Sequence, residues 1–359
     1  MKFEEIPGQE MARQLLQHDI ESQTIAHGYL FHGAEGLGKS QMAQLFAQRL
    51  MCLAPKGLAP CGECRSCKKI DQWSHPDVKI VFPQKKDANT AQIIHQRIDT
   101  PWLPLHSDFN ALITLSQVKE IIHFINMAPH ESAFKIVILV QAERMNSEAA
   151  NALLKSLEEP PSNTVFILSS TDTQNLPATI HSRCRHIPFY PLAPEKVKRF
   201  ISDHPDIRLP AEDIVVFLTN GAIGRLYIFP PEDFERIIDY VQTLFRALSN
   251  LNFFIARDLT QQFDDFSDQC KEWIILSLQF YFKEYLKLSN RLPSPYQHFF
   301  ATLQLKFDLD QLEQIIYTLD KLKFLIKRNF NLPLIFINFL INIHQLDRFQ
   351  MDIASVIGH

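Results

Sequence analysis

The chain has 359 residues, 46% hydrophobic and 21% charged, with a formal net charge of −4. These are globular values with length for two or three domains, and they exclude a disordered chain or a uniformly basic nucleic-acid binder. Scarce glycine (10) and abundant phenylalanine (28) suit helices and packed apolar faces. The opening Met1–Pro7 has no signal-peptide apolar region, and the apolar run Leu332 to Ile343 is short for a bilayer and carries Asn338 and Asn342. A soluble, cytoplasmic protein with no membrane partner is expected.

The first strong pattern is residues 28–40. A strand at Tyr29-Leu30-Phe31 runs into Gly33, Gly36 and Gly38, and Lys39-Ser40 open a helix with Met42, Leu45, Phe46 and Leu50 at helical spacing. Gly33-x-x-x-x-Gly38-Lys39-Ser40 is a complete phosphate-binding loop. Its glycines let backbone N–H groups wrap phosphates, Lys39 reaches the outer phosphates and Ser40 can hold Mg²⁺.

Four of the six cysteines then cluster, Cys52, Cys61, Cys64 and Cys67. The spacing C-x8-C-x2-C-x2-C brings four thiols onto one short excursion, as tetrahedral Zn²⁺ requires. Disulfides are the alternative, which a cytosolic compartment disfavours. Four cysteines close the coordination sphere, so zinc here is structural. Cys184 and Cys270 stand apart and read as ordinary buried residues.

Strands are expected at Asp77–Phe82, Ile136–Val140, Thr164–Leu168 and Ile187–Tyr190, with helices at Ser116–Ile125, capped by Ser116, and Ser147–Glu158, capped near Asn146. Continuous apolar strands separated by helices imply a parallel sheet covered on both faces. The polar stretch 83–112, with Trp102 between Pro101 and Pro104, reads as a mobile surface insertion. Prolines 191 and 194 mark a linker, and Glu195–Ile201 and Glu212–Asn220 read as a small helical unit. Beyond Pro230-Pro231 the pattern is helical throughout. Phe234, Ile237, Ile238, Val241, Leu244, Phe245 and Leu248 share one face, and Trp273–Leu286 and Leu309–Ile326 follow.

Several segments carry a family resemblance in order. They are Phe3-Glu4-x-Ile6-x-Gly8-Gln9, His27-x-Tyr29-Leu30-Phe31, the phosphate loop, the four-Cys module and His75-Pro76-Asp77. Then come Asn151 to Pro161 (NALLKSLEEPP) and Thr179-Ile180-x-Ser182-Arg183-Cys184. Over residues 1–190 the chain resembles the clamp-loader branch of the AAA+ ATPases, and within it the delta-prime family of bacterial DNA polymerase III subunits.

The resemblance implies an α/β P-loop NTPase-type (AAA+) domain with a parallel sheet over 1–190, holding the zinc module at 52–67. A small helical lid over 191–230 and an all-α collar domain over 231–359 follow, the segment Arg328-Asn329-x-Asn331-x-x-Leu334 resembling the collar's close. It also implies that Arg183 reaches a neighbouring subunit's nucleotide as an arginine finger, where a planar guanidinium stabilises developing phosphoryl charge. The implied partners are clamp-loader ATPase subunits and a delta subunit in a hetero-oligomeric ring, the sliding clamp, and primer–template DNA through the assembly. Apolar residues beyond a narrow stripe in the last domain suit burial against those subunits.

One part of the family's ATPase pattern is missing. The strand after Lys135 should lead into an acidic pair, one carboxylate assisting Mg²⁺ and the next activating water. Val140 and Gln141 occupy those places. Valine has no ligand atom and the glutamine amide is no base. Glu143 falls two residues later, where it is expected to favour the start of the next helix. The lid's sensing arginine would fall at Gly224, with Arg225 one place off. ATP and Mg²⁺ are therefore expected to bind weakly and without hydrolysis. Two competing readings are the ATP-hydrolysing gamma/tau-type motor subunit of the same machine and a zinc-knuckle protein with intrinsic DNA affinity. The first is favoured by the intact loop, the second opposed by the net negative charge.

Overall fold

The computed structural model describes residues 3–57, 59–85, 89–99, 111–209, 213–227, 231–248, 250–303, 305, 307–326 and 331–344. Trp102, Pro101, Pro104, Pro230, Arg328 and Asn329 lie outside them. The chain divides into two compact units, Met1–Ala211 with Thr219–Ile228, and Glu212–Leu218 with Phe229–His359.

In the first unit, helix α1 (Glu10–Glu21) precedes strand β1 (Gly28–His32), and α2 (Lys39–Met51) follows the glycine loop. Next come α3 (Arg65–Asp71), β2 (Val78–Val81), α4 (Thr90–Asp99), α5 (Leu115–Asn126), β3 (Lys135–Leu139), α6 (Ser147–Glu158) and β4 (Thr164–Ser170). The short helix α7 (Ala178–His181), β5 (Arg185–Pro188) and α8 (Pro194–Asp203) complete the set. The strands form one parallel sheet in the order β2-β3-β4-β1-β5, with Leu30 opposite Leu168 and His186. This is the expected α/β P-loop NTPase-type arrangement, a parallel sheet with the glycine loop leaving β1. β3 and β4 are buried along their whole length, as strands covered on both faces must be.

One face of the sheet packs Val137, Leu139, Phe166 and Leu168 against Val118, Ile121 and Ile125 of α5 and Leu153 and Leu157 of α6. Phe46 of α2 meets Tyr29 edge to face at 5.0 Å. Gln9 is buried and clasps β5's continuation at Tyr190, donating Nε2 to its carbonyl at 2.9 Å and accepting its N–H at 3.1 Å. That bond explains a glutamine in the opening motif: it closes the sheet's far edge onto the N-terminus.

Three expectations are corrected locally. The cap of α5 is Thr114, in a reciprocal box with Gln117, and not Ser116. The last strand is Arg185–Pro188 rather than Ile187–Tyr190, because an edge strand tolerates Arg185 and His186. Part of the 83–112 stretch, Thr90–Asp99, is helix α4 and not loop.

The second unit is helical among its described residues: α9 (Asp213–Thr219, its last residue in the first unit), α10 (Pro231–Leu248), α11 (Phe253–Asp264), α12 (Asp268–Ser289), α13 (Gln297–Ala301), α14 (Leu309–Ile326) and α15 (Leu332–His344). The α10 face read from the sequence is buried apart from half-buried Ile238. Much of the apolar surplus fills this unit's own core. Phe245 lies 4.7 Å from Phe282, and Phe263 stacks on Phe336 at 4.0 Å. No helix among the described residues is long and apolar enough to cross a membrane.

Candidate functional site: a phosphate loop, a four-cysteine cluster and an exposed arginine

The phosphate loop leaves β1, between β4 and the edge strand β5, where the connections leaving β1 and β4 run in opposite directions and α/β sheets bind ligands. Gly33 donates its N–H to Ser170 at the end of β4, and Gly38, at φ 91°, starts α2. The ammonium of Lys39, only 7% exposed, donates to the carbonyls of Gly33 and Ala34 at 2.6 Å each. Burial pulls its pKa down to about 8, with Glu35 and Glu143 acting in the opposite direction. Ser40 is half-buried in the first turn of α2.

Val140 and Gln141 lie at the end of β3, both buried. Gln141 takes a left-handed conformation (φ 54°), donates Nε2 to Glu35 Oε1 at 3.1 Å, and receives no hydrogen bond at Oε1. Glu143 does not serve the next helix, as expected of it. Asn146 caps α6 through Ala149 N–H, while Glu143 Oε1 accepts from Thr171 N–H at 3.0 Å and Thr171 Oγ1 at 2.6 Å. The sequence hid this because Thr171 is 28 residues away, beyond β4.

The segment after α9 lies on the phosphate loop. Gly224 donates its N–H to Gly36 O at 3.0 Å, and a Cβ on Gly224 would stand 2.7 Å from Gly36 Cα. Position 224, where the resemblance would put an arginine, therefore has no room for a side chain. Half-buried Arg225 donates its N–H back to Ala222 O at 3.0 Å, and a Cβ on Gly36 would stand 3.2 Å from its nitrogen.

The four cysteines converge, with all four Sγ atoms within 4.8 Å of one another. Cys61 and Cys67 Sγ are 3.9 Å apart, close to the ~3.8 Å edge of a tetrahedron of thiolates at ~2.3 Å from zinc. Backbone N–H groups of Cys61, Cys64 and Cys67 point at the sulfurs of Cys52, Cys61 and Cys64. Burial opposes ionisation of Cys64, but amide donors from Cys67 and Leu53 hold its thiol below the usual range. Zinc fits this donor set. Gln48 anchors the cluster to α2 by donating to Cys67 O at 3.1 Å. Glu131 ties it to the sheet unit through Lys69 and through Arg65 at 3.1 Å. Cys184 and Cys270 are buried far along the chain from this set, and burial pushes the Cys184 thiol up to about 12.

His75-Pro76-Asp77 supports the loop that carries Glu131. The Asp77 carboxylate accepts the N–H groups of His130, Glu131 and Ser132 at 2.7, 2.8 and 3.0 Å. His75 Nδ1 accepts Asp77 N–H, so Nε2 carries the proton toward Ser132 Oγ. Burial lowers the pKa of His75, with Asp77 and Glu131 acting in the opposite direction.

Arg183 follows α7, one-third exposed. Its guanidinium meets Glu158 Oε1 at 2.8 Å and Thr179 O at 2.9 Å. Sequence reasoning passed over the histidines between this arginine and the phosphate loop. His181 and His186 rings lie 4.0 Å apart, and His186 is 5.6 Å from His32, the residue before Gly33.

Residues 8–193 match the family model described as DNA polymerase III, delta subunit. A DNA polymerase III subunit delta' from Bacillus subtilis (strain 168) is 30% identical over 245 residues, 67% of this chain and 66% of that protein. The Pseudomonas aeruginosa subunit delta' is 35% identical over 159 residues, 44% of this chain and 42% of its own. The tau/gamma subunit of Haemophilus influenzae is 31% identical over 182 residues, 51% of this chain and 23% of that one. This chain thus spans from under a quarter to about two-thirds of these relatives' length. With more than half of its residues matched, the chain belongs to the DNA polymerase III, delta subunit family.

Proposed function

We propose that the chain is a delta-prime-type clamp-loader subunit of a bacterial DNA polymerase III assembly that does not hydrolyse ATP itself. It offers Arg183 to the nucleotide of a neighbouring ATPase subunit and helps open a sliding clamp for loading at primer–template junctions. The observation that carries this reading is Val140-Gln141 at the end of β3, which leaves the phosphate loop without an acidic pair, while Arg183 stands at the surface. A buried valine and an amide supply neither a metal ligand at 140 nor a base at 141.

In this reading residues 1–190 form the AAA+ domain, 191–230 a lid and 231–359 a collar that joins the ring with ATPase and delta subunits. Zinc in Cys52, Cys61, Cys64 and Cys67 is structural. The loop residues Gly33, Gly36, Gly38, Lys39 and Ser40 hold a nucleotide weakly, and the protein works in the cytoplasm. Co-purification from the source cell, followed by ATPase assays of the complex with Arg183 and with Arg183→Ala, tests it. The expected result is polymerase-associated partners and a large loss of turnover on substitution. No such partners, or unchanged turnover, overturns it. The complete phosphate loop favours a second reading, the gamma/tau-type motor subunit. ATP turnover at an ordinary enzyme rate by the purified chain alone would select that one.

A further inference from the structure

The phosphate loop faces two side-chain oxygens that nothing in the fold uses. Gln141 Oε1 and Glu143 Oε2 are shielded from solvent and have no hydrogen-bond partner. A buried polar atom without a partner costs about 1–3 kcal/mol, so such a pair at one site calls for a ligand. Both belong to one constellation. Gln141, more than nine-tenths buried, is bonded through its amide to Glu35 of the phosphate loop. Glu143 is held at Thr171, the residue after Ser170, whose carbonyl receives the N–H of Gly33. Only one oxygen of Glu143 is consumed by that clamp. The other has no partner, and the Glu143 charge, like that of Glu35, acts on the Lys39 ammonium against the burial that lowers its pKa.

We propose that Glu143 is the carboxylate this chain presents to the divalent cation of a bound magnesium nucleoside triphosphate, in place of an acidic pair at 140 and 141. The donor chemistry suits Mg²⁺, which takes oxygens, is content with one or two carboxylates, and draws its other ligands from phosphates and water. Ser40, in the first turn of α2, and the unpartnered Gln141 amide oxygen offer further hard oxygen donors. No three carboxylate, histidine or thiol ligands converge here among the described residues, so the cation arrives with the nucleotide rather than before it. The clamp by Thr171 fixes Glu143 as a positioned ligand, whereas a helix-start charge would need no such anchor. The inference rests on the nucleotide-holding part of the proposed function and is independent of Arg183.

Calorimetric titration of the full chain with ATPγS, in excess MgCl₂ and in EDTA, tests it. The wild type is expected to bind more tightly with Mg²⁺, by about tenfold or 1.4 kcal/mol. Glu143→Gln should remove most of that enhancement while leaving the EDTA affinity unchanged or tighter, because a carboxylate near phosphates repels them when no cation intervenes. Glu143→Asp should restore part of the enhancement. Thr171→Val, which keeps the carboxylate and loses one anchor, should fall between, and it carries the test if Glu143→Gln melts early. Equal enhancement in wild type and Glu143→Gln would overturn the assignment. So would saturable binding of Mg²⁺ without nucleotide, or no ATPγS binding by the wild type in either buffer. That last outcome would leave the proposed role of Arg183 standing, since it is read on another subunit's ATP.

Discussion

The guanidinium of Arg183 rests 2.8 Å from the carboxylate of Glu158, joining the turn after α7 to the end of α6. Both partners are partly exposed, at 34% and 45%, so the pair is worth at most about 1 kcal/mol. A phosphate oxyanion offers the same planar donor fork a better-matched acceptor. Glu158 therefore holds the arginine only weakly.

Arg183→Lys should impair ATP turnover by a reconstituted complex almost as much as Arg183→Ala. A lysine keeps the charge and loses the bidentate fork, and an arginine finger in trans contributes roughly 10³-fold or more. Glu158→Gln should leave the melting temperature within about 2 °C, as expected of an exposed pair. Steady-state ATPase assays and thermal melts read both, and full activity in Arg183→Lys would exclude a fork-dependent role.

Val140→Asp should increase Mg²⁺-dependent nucleotide affinity, and the double change Val140→Asp with Gln141→Glu should increase it less than two new carboxylates would suggest. Glutamate at 141 replaces the amide that donates to Glu35 with a like charge against it. The cost without metal is a buried carboxylate at 140, about 1–3 kcal/mol of stability. Nucleotide titrations with and without Mg²⁺ read the gain, and melts in EDTA read the cost. Affinity unchanged in both variants would mean that Gly224 on Gly36 and Lys39 on the loop carbonyls keep the loop closed.

What could be read in advance was what is local. The phosphate loop, the apolar runs of β3 and β4, the Asn146 cap and the four-Cys spacing each declare themselves within sixteen residues. The edge strand β5 was misplaced because Arg185 carries charge into it, reaching Asp19 of α1 at 2.7 Å. The site's detail was hidden for another reason. Gln141 with Glu35, Glu143 with Thr171 and Gly224 with Gly36 are pairings between ends of different strands and helices, and no periodicity encodes them. Asp77 lay in a recognisable motif, but its three amide donors come from more than fifty residues on.

Asp77→Asn should destabilise the chain at neutral pH by about 1–3 kcal/mol, because an amide nitrogen cannot accept the N–H groups of residues 130–132. Burial alone would raise the carboxyl's pKa, but the three amide donors and His75 more than offset it, and it ends below the usual value. The unfolded chain therefore binds more protons across the window between that value and the ordinary one, about pH 4. The stabilisation is fully present above about pH 4 and is lost as pH falls through the folded value. Denaturant titrations of wild type and variant should converge in acid, and a gap independent of pH would refute the account.

One zinc per chain is the expected metal content, lost in Cys61→Ser or Cys67→Ser and retained in Cys184→Ser and Cys270→Ser. Chelation should lower the melting temperature and admit protease at 52–64, since without the metal the cysteine loop keeps weak N–H to sulfur bonds and the Arg49 bond to Gly57 O, while Gln44, Gln48 and the Glu131 pairs hold α3. Elemental analysis and limited proteolysis read this directly. Zinc content unaffected by the cysteine changes would move the metal elsewhere.

Gly224→Arg would put an arginine where the resemblance expects one, yet it should weaken this protein. A Cβ at 224 falls 2.7 Å from Gly36 Cα and 3.1 Å from Gly36 O, both backbone atoms of the phosphate loop, so the loop or the segment on it must move. Overpacking of this kind costs about 1–3 kcal/mol, and Gly224→Ala should already incur most of it because the clash is with the first side-chain atom. Both variants should therefore melt earlier than wild type by similar amounts. Tighter ATPγS binding by Gly224→Arg without loss of stability would show that the loop yields freely and that the glycine is not what seats this segment. Equal early melting, with nucleotide affinity no better than wild type, would fix Gly224 as the residue that seats this segment on the phosphate loop by close backbone packing.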